Sequence, residues 1–148
     1  MKMGAKCKSG ILVGMQMVFI FFLLVKIPLL HCDSWAIIVS FVGLILGFWA
    51  IVSMKLDNIS VTPDVKKDSH LVTTGPYKTI RHPMYSAVLL TFSPFVIDKP
   101  SEFLIIILVA LWITLLVKLN YEEKLLRNHF EEYTSYSKHS WRLIPFIY

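Results

Sequence analysis

Apolar residues run almost without a break from Ile11 to Leu30, from Trp35 to Met54 and from Phe103 to Leu119. A shorter run, Met84 to Ile97, is interrupted by Pro94. An α-helix needs about 20 apolar residues to cross a ~30 Å hydrocarbon core. The pattern therefore predicts an all-α integral membrane protein with about four transmembrane helices, over 11–30, 35–54, 84–97 and 103–119. The polar positions collect in two segments, a loop over 55–83 and a tail over 120–148. With 148 residues, the chain reads as a single membrane domain. The second span carries no charge and holds Gly43 and Gly47, a spacing that lets helices approach closely and that packing alone explains. In the first span the strongly polar residues are Gln16 and, near its far end, Lys26, which can snorkel to the interface.

Composition supports the same class. The chain is 55% hydrophobic and 17% charged, with a mean hydropathy of +0.62. That is too apolar for an ordinary soluble domain. Its net charge of +5 is read first as topology, because basic residues gather on the cytoplasmic side of a membrane protein. With the N-terminus inside, Lys2, Lys6, Lys8, Lys55, Lys66, Lys67, Lys78, Arg81, Lys118, Lys124, Arg127, Lys138 and Arg142 all fall on the cytoplasmic side. Lys99 falls outside, and Lys26 lies within the first span. Both termini are predicted to be cytoplasmic, which brings the loop and the tail to one face. The basic residues then need no nucleic-acid partner.

The three lysines before the first apolar run mimic the start of a signal peptide. That run is as long as a full span, however, and no small-residue cleavage site follows it, so a retained helix is expected. Cys7 and Cys32 flank opposite ends of the first span, too far apart for a disulfide. No HxxxH or CxxC spacing is present, so no metal site is predicted. No GxGxxG or GxxxxGK[ST] occurs, so neither a Rossmann site nor a P-loop is indicated.

The loop holds the most varied chemistry, in "LVTTGPYKTIRHPMY". Gly75-Pro76 marks a turn. Pro83 suits the first turn of a helix, which places His82 at its cap. A helix start can receive an anion; equally, "RHP" can be a basic anchor at the membrane edge. In the tail, a helix over Leu119–Lys138 would put Lys118, Glu122, Leu125, Leu126, His129 and Tyr133 on one face. Glu123, Lys124, Arg127, Asn128 and Glu131 would lie on the other, facing solvent. Glu123 and Arg127 would make an ordinary surface pair. Glu122 shares the apolar face, where a carboxylate needs a partner. Lys118, one turn earlier, is one such partner; a cationic or hydroxyl-bearing ligand is another.

"HLVTTGPYKTIRHPMY" followed by "EEKLLRNHFEEYTSYSKHSWRLIPF" resembles the isoprenylcysteine carboxyl methyltransferase family and its bacterial relatives, over about the C-terminal two thirds of the chain. Related integral-membrane phospholipid methyltransferases share the broader pattern. The resemblance implies S-adenosylmethionine in a cytoplasmic pocket closed by the loop and the C-terminal helix. Ser69, His70, Leu71, Val72, Tyr77, His82, Pro83, Met84 and Tyr85 would line the cofactor, and Glu122 would be a polar contact to it. His82 and the helix start would suit its carboxylate, and the tyrosines its rings or sulfonium. Lys118 stands where the family often carries an arginine facing the substrate. Lysine keeps the charge but loses the bidentate fork. A second departure is "HFEEY", where a glycine usually follows the phenylalanine.

The implied activity is methyl transfer to a lipidic or prenylated acceptor drawn from the bilayer, with a carboxylate favoured. Such an acceptor needs no general base, whereas an amine must first lose a proton. The alternatives are a phospholipid or small-amine N-methyltransferase, and a non-catalytic membrane protein that binds a nucleoside-like ligand or a partner.

Overall fold

A computed structural model describes residues 2–54 and 71–148, with side chains from residue 7 onward. The described residues form helices α1 (Lys2–Lys26), α2 (Ser34–Met54), α3 (Pro83–Asp98), α4 (Glu102–His129) and a single turn, α5 (Tyr133–Tyr136). No strand occurs among them. The protein is an all-α integral membrane protein. Three helices, α1, α2 and α4, are long and apolar enough to span a bilayer, and α3 is a shorter apolar helix of 16 residues. Phe48 is 70% exposed, Ile106 65% and Ile38 63%. Apolar surface on that scale is costly in water and ordinary against lipid.

Helix boundaries follow local chemistry. α1 begins well before Ile11, because its basic first turns can extend past the hydrocarbon as helix. It ends at Lys26, short of the expected Leu30, because Pro28 has no N–H and restricts the residue before it. The helix expected over 84–97 is present as α3 and runs on through Pro94 without a break. Pro94 is buried in its last turns, and packing against neighbouring helices sustains the ladder. α4 joins the predicted last span and the start of the tail in one rod of 28 residues. The tail helix expected to reach Lys138 stops at Phe130, whose backbone is extended (φ −114°, ψ 114°).

α2 packs along α3, α1 packs along α4, and α3 meets α4 between the two pairs. The α2–α3 contact runs through the two glycines. A Cβ on Gly43 would come within 2.8 Å of the Thr91 backbone nitrogen, and one on Gly47 within 3.3 Å of the Ala87 Cβ. The core, with Leu23, Leu89, Phe92, Leu111 and Leu115, lies where α1, α3 and α4 converge. At the end of the bundle where α1 leads into α2, the Asp98 carboxylate accepts from the Asp33 backbone N–H (2.9 Å) and the Trp35 indole (3.0 Å). At the other end Gly75, with φ +59°, lies against Ser53 and Trp49 of α2, where a side chain would collide. An apolar cavity of about 680 Å³ runs between α2, α3 and the last turns of α1, with Ile27 and Phe95 towards one end and Ile51 and Met84 towards the other.

Candidate active site

The end of the bundle away from Asp98 gathers the loop, α4 and the tail around two adjacent carboxylates. Thr79 accepts from the Trp141 backbone N–H (2.9 Å), and the Arg81 and His82 N–H groups donate to the Trp141 and Arg142 carbonyls (2.7 and 3.1 Å). Ser86 Oγ on α3 donates to the Leu143 carbonyl at 2.6 Å. The tail is thus stitched to the loop by backbone pairing, and the short turn α5 brings Tyr136 over the Tyr77 carbonyl.

Glu123 is the buried member of the acidic pair, at 3% exposure. This corrects the expected helix phase, which placed it towards solvent. Arg81 Nε donates to its Oε1 at 2.9 Å, Arg142 Nη2 lies 3.2 Å and Arg127 Nη2 3.5 Å from its Oε2. The physical reason is the fold-back of the tail. A helix wheel sees only α4, whereas residues 137–142 return over its outer face and convert a surface position into an interior one. Arg81 also donates to the Ser137 and Ser140 carbonyls, so one guanidinium joins the loop, α4 and the tail.

His82 caps α3 and is 7% exposed. Its Nδ1 is 3.4 Å from Glu122 Oε2 and its Nε2 3.7 Å from Glu123 Oε1. Its ring stacks on Tyr85 at 5.4 Å. Burial works to lower its pKa, but the contacts to Glu122 and Glu123 outweigh it and raise the net value. Nε2 has no hydrogen-bond partner among the described residues. The imidazole therefore faces carboxylates, which makes it a poor direct partner for the carboxylate of a ligand.

Glu122 differs from its neighbour. Its side chain keeps 20% exposure, and His82 is the cationic group within 4.0 Å of it among the described residues. Lys118, one expected partner, feels the Glu122 charge at longer range but does not form a close ion pair with it. Its ammonium donates to Gln16 Oε1 on α1 at 3.0 Å and lies 5.0 Å over the Tyr85 ring. Tyr77 is buried with its hydroxyl on Met54 Sδ (3.8 Å), and burial pushes that phenol far above its ordinary pKa. Tyr85 is buried beside Glu122.

Of the sequence-predicted residues, Tyr77, His82, Pro83, Met84, Tyr85, Lys118 and Glu122 therefore sit at one end of the bundle. Leu71 and Val72, half-buried, lead into the same loop. Ser69 and His70 lie outside the described residues. Sequence reasoning missed the structural roles of Arg81, Glu123 and Arg142. Arg81, inside the richest motif, was the available signal.

The residues present fit S-adenosylmethionine, which pairs a cationic sulfonium with an amino-acid head. A carboxylate with one side open, Glu122, stands beside two buried tyrosine rings, a setting suited to an organic cation. The phospholipid methyltransferase family model matches residues 32–133. That stretch includes α2, α3 and α4 and leaves out α1. No curated protein matches the chain.

Proposed function

Since the chain belongs to the phospholipid methyltransferase family, a family of membrane methyltransferases, we propose that it transfers a methyl group from S-adenosylmethionine to a lipidic acceptor, and that the acceptor atom is a carboxylate oxygen, as in isoprenylcysteine methylation. The observation that carries this reading is the convergence of Glu122, Tyr77, Tyr85 and His82 beside an apolar cavity. When bound, the cofactor supplies an electrophilic methyl group open to direct displacement. Glu122 and the tyrosine faces hold positive charge. The loop and tail, joined by backbone pairing, exclude water from the site. Lys118 offers an ammonium to the acceptor's anionic group, and the cavity, with Met84 in its wall, takes the acceptor's tail. Catalysis on this reading is mostly positioning in a dry site.

A second reading, N-methylation of a phospholipid or small amine, is favoured by the matched family's description. Two measurements decide. Glu122→Gln should weaken cofactor binding about tenfold, the loss of one charge-assisted contact, as read by calorimetry. Unchanged affinity would remove Glu122 from the site. Labelled methyl groups transferred to a lipid extract should be released as methanol by mild alkali if the product is an ester. Label that alkali does not release as methanol and that stays bound to nitrogen in the headgroup would establish the amine reading instead.

A further inference from the structure

The Lys118–Gln16 pair resolves an apparent deficit in the site. Lysine at this position supplies charge but no two-pronged donor. Lys118 is 6% exposed, and its ammonium has three N–H bonds and no acceptor. Gln16 Oε1 takes one of them at 3.0 Å. An ammonium cannot accept, so the Gln16 amide oxygen must face it and the amide NH₂ must point away. The bonded pair therefore carries donors of two origins, the remaining ammonium N–H bonds and an amide NH₂ held one carbonyl away from them. The Tyr85 ring lies 5.0 Å from the ammonium and fixes its approach. Gln16 is also a lone amide in an apolar span, and an amide facing hydrocarbon is costly without such a use.

We propose that Gln16 and Lys118 together form a composite two-donor site for an anionic group of the acceptor, a carboxylate or a phosphate, in place of a single guanidinium. This rests on the methyl-transfer reading above and adds α1, which lies outside the family match, to the acceptor site. Gln16 is then a specificity residue whose function depends on Lys118 being a lysine.

That dependence supplies the test. Cofactor-free protein in nanodiscs is titrated with two probes, a farnesylated cysteine with a free carboxylate and a short-chain phosphatidylethanolamine, which offers a phosphate. Gln16→Leu should weaken binding of one probe about tenfold, the loss of a hydrogen bond to a charged group. Gln16→Glu should weaken it at least as much, because the new carboxylate claims the ammonium. Adding Lys118→Arg to Gln16→Leu should restore binding, since one guanidinium then supplies both donors. Cofactor affinity should stay unchanged throughout.

The probe that shows this pattern identifies the anionic group. Wild-type binding of neither probe, unchanged binding by Gln16→Leu, or a double variant as weak as the single one would each overturn the composite site. Methyl transfer is measured separately. Its absence alongside Gln16-dependent binding would sink the methyl-transfer reading and leave the composite site standing.

Discussion

Glu123 and Glu122 are chemical twins one residue apart, set in contrasting surroundings. Glu123 is ringed by Arg81, Arg127 and Arg142. Removing its charge would leave the buried Arg81 guanidinium without its counter-charge, so Glu123→Gln should cost about 3 kcal/mol of stability, visible as a lower Tm in detergent. Glu122→Gln should leave Tm nearly unchanged and weaken the cofactor instead. Equal Tm losses would show that both acids are structural. His82 adds a pH dependence. Its folded pKa is raised, so its protonation stabilises the fold fully below its ordinary value of 6.5 and this contribution is lost as pH rises through the elevated value. The Tm difference between the wild type and His82→Gln should therefore shrink as pH rises above 6.5, and a flat difference would contradict a charged His82. The motifs singled out Glu122 and His82 as candidates, but nothing in the sequence showed the burial of Glu123. The groups that bury it, Arg81 and Arg142, are 42 and 19 residues away along the chain.

Among the elements, the apolar helices were legible because lipid imposes a length and a composition that nothing else in the chain imitates. The tail helix expected to run to Lys138 stops at His129, and α3 carries Pro94 without a break, for a shared reason. Each boundary is set by what packs against the helix. The glycine pair in α2 carries a sharper expectation. Gly43 touches the α3 backbone, which cannot yield, whereas Gly47 faces the Ala87 methyl. Gly43→Ala should lower stability by about 1–3 kcal/mol, the range for overpacking, and Gly47→Ala by distinctly less. Thermal unfolding of the two variants in the same detergent checks the order, and a reversed order would mean that α2 and α3 do not cross at Gly43.

For the whole molecule, the distribution of basic residues predicts a single orientation, with α1 entering from the cytoplasm. In a background with Cys7 and Cys32 changed to serine, His31→Cys should react with a membrane-impermeant maleimide in intact cells, and Lys138→Cys only after lysis. Both positions are exposed. Labelling of Lys138→Cys from outside would overturn the orientation.

The cavity has a kinetic consequence. Asp98 ties the start of α2 to the end of α3 at one extremity, and Gly75 seats the loop on α2 at the other. Between them the opening is rimmed by Phe41, Leu44 and Phe48, side chains that are exposed sideways. Whatever enters does so from within a two-dimensional solvent. Its supply is then set by its share of the surrounding lipid and by lateral diffusion, so diluting the membrane with inert lipid should slow turnover even when the amount of acceptor per volume of sample is held constant.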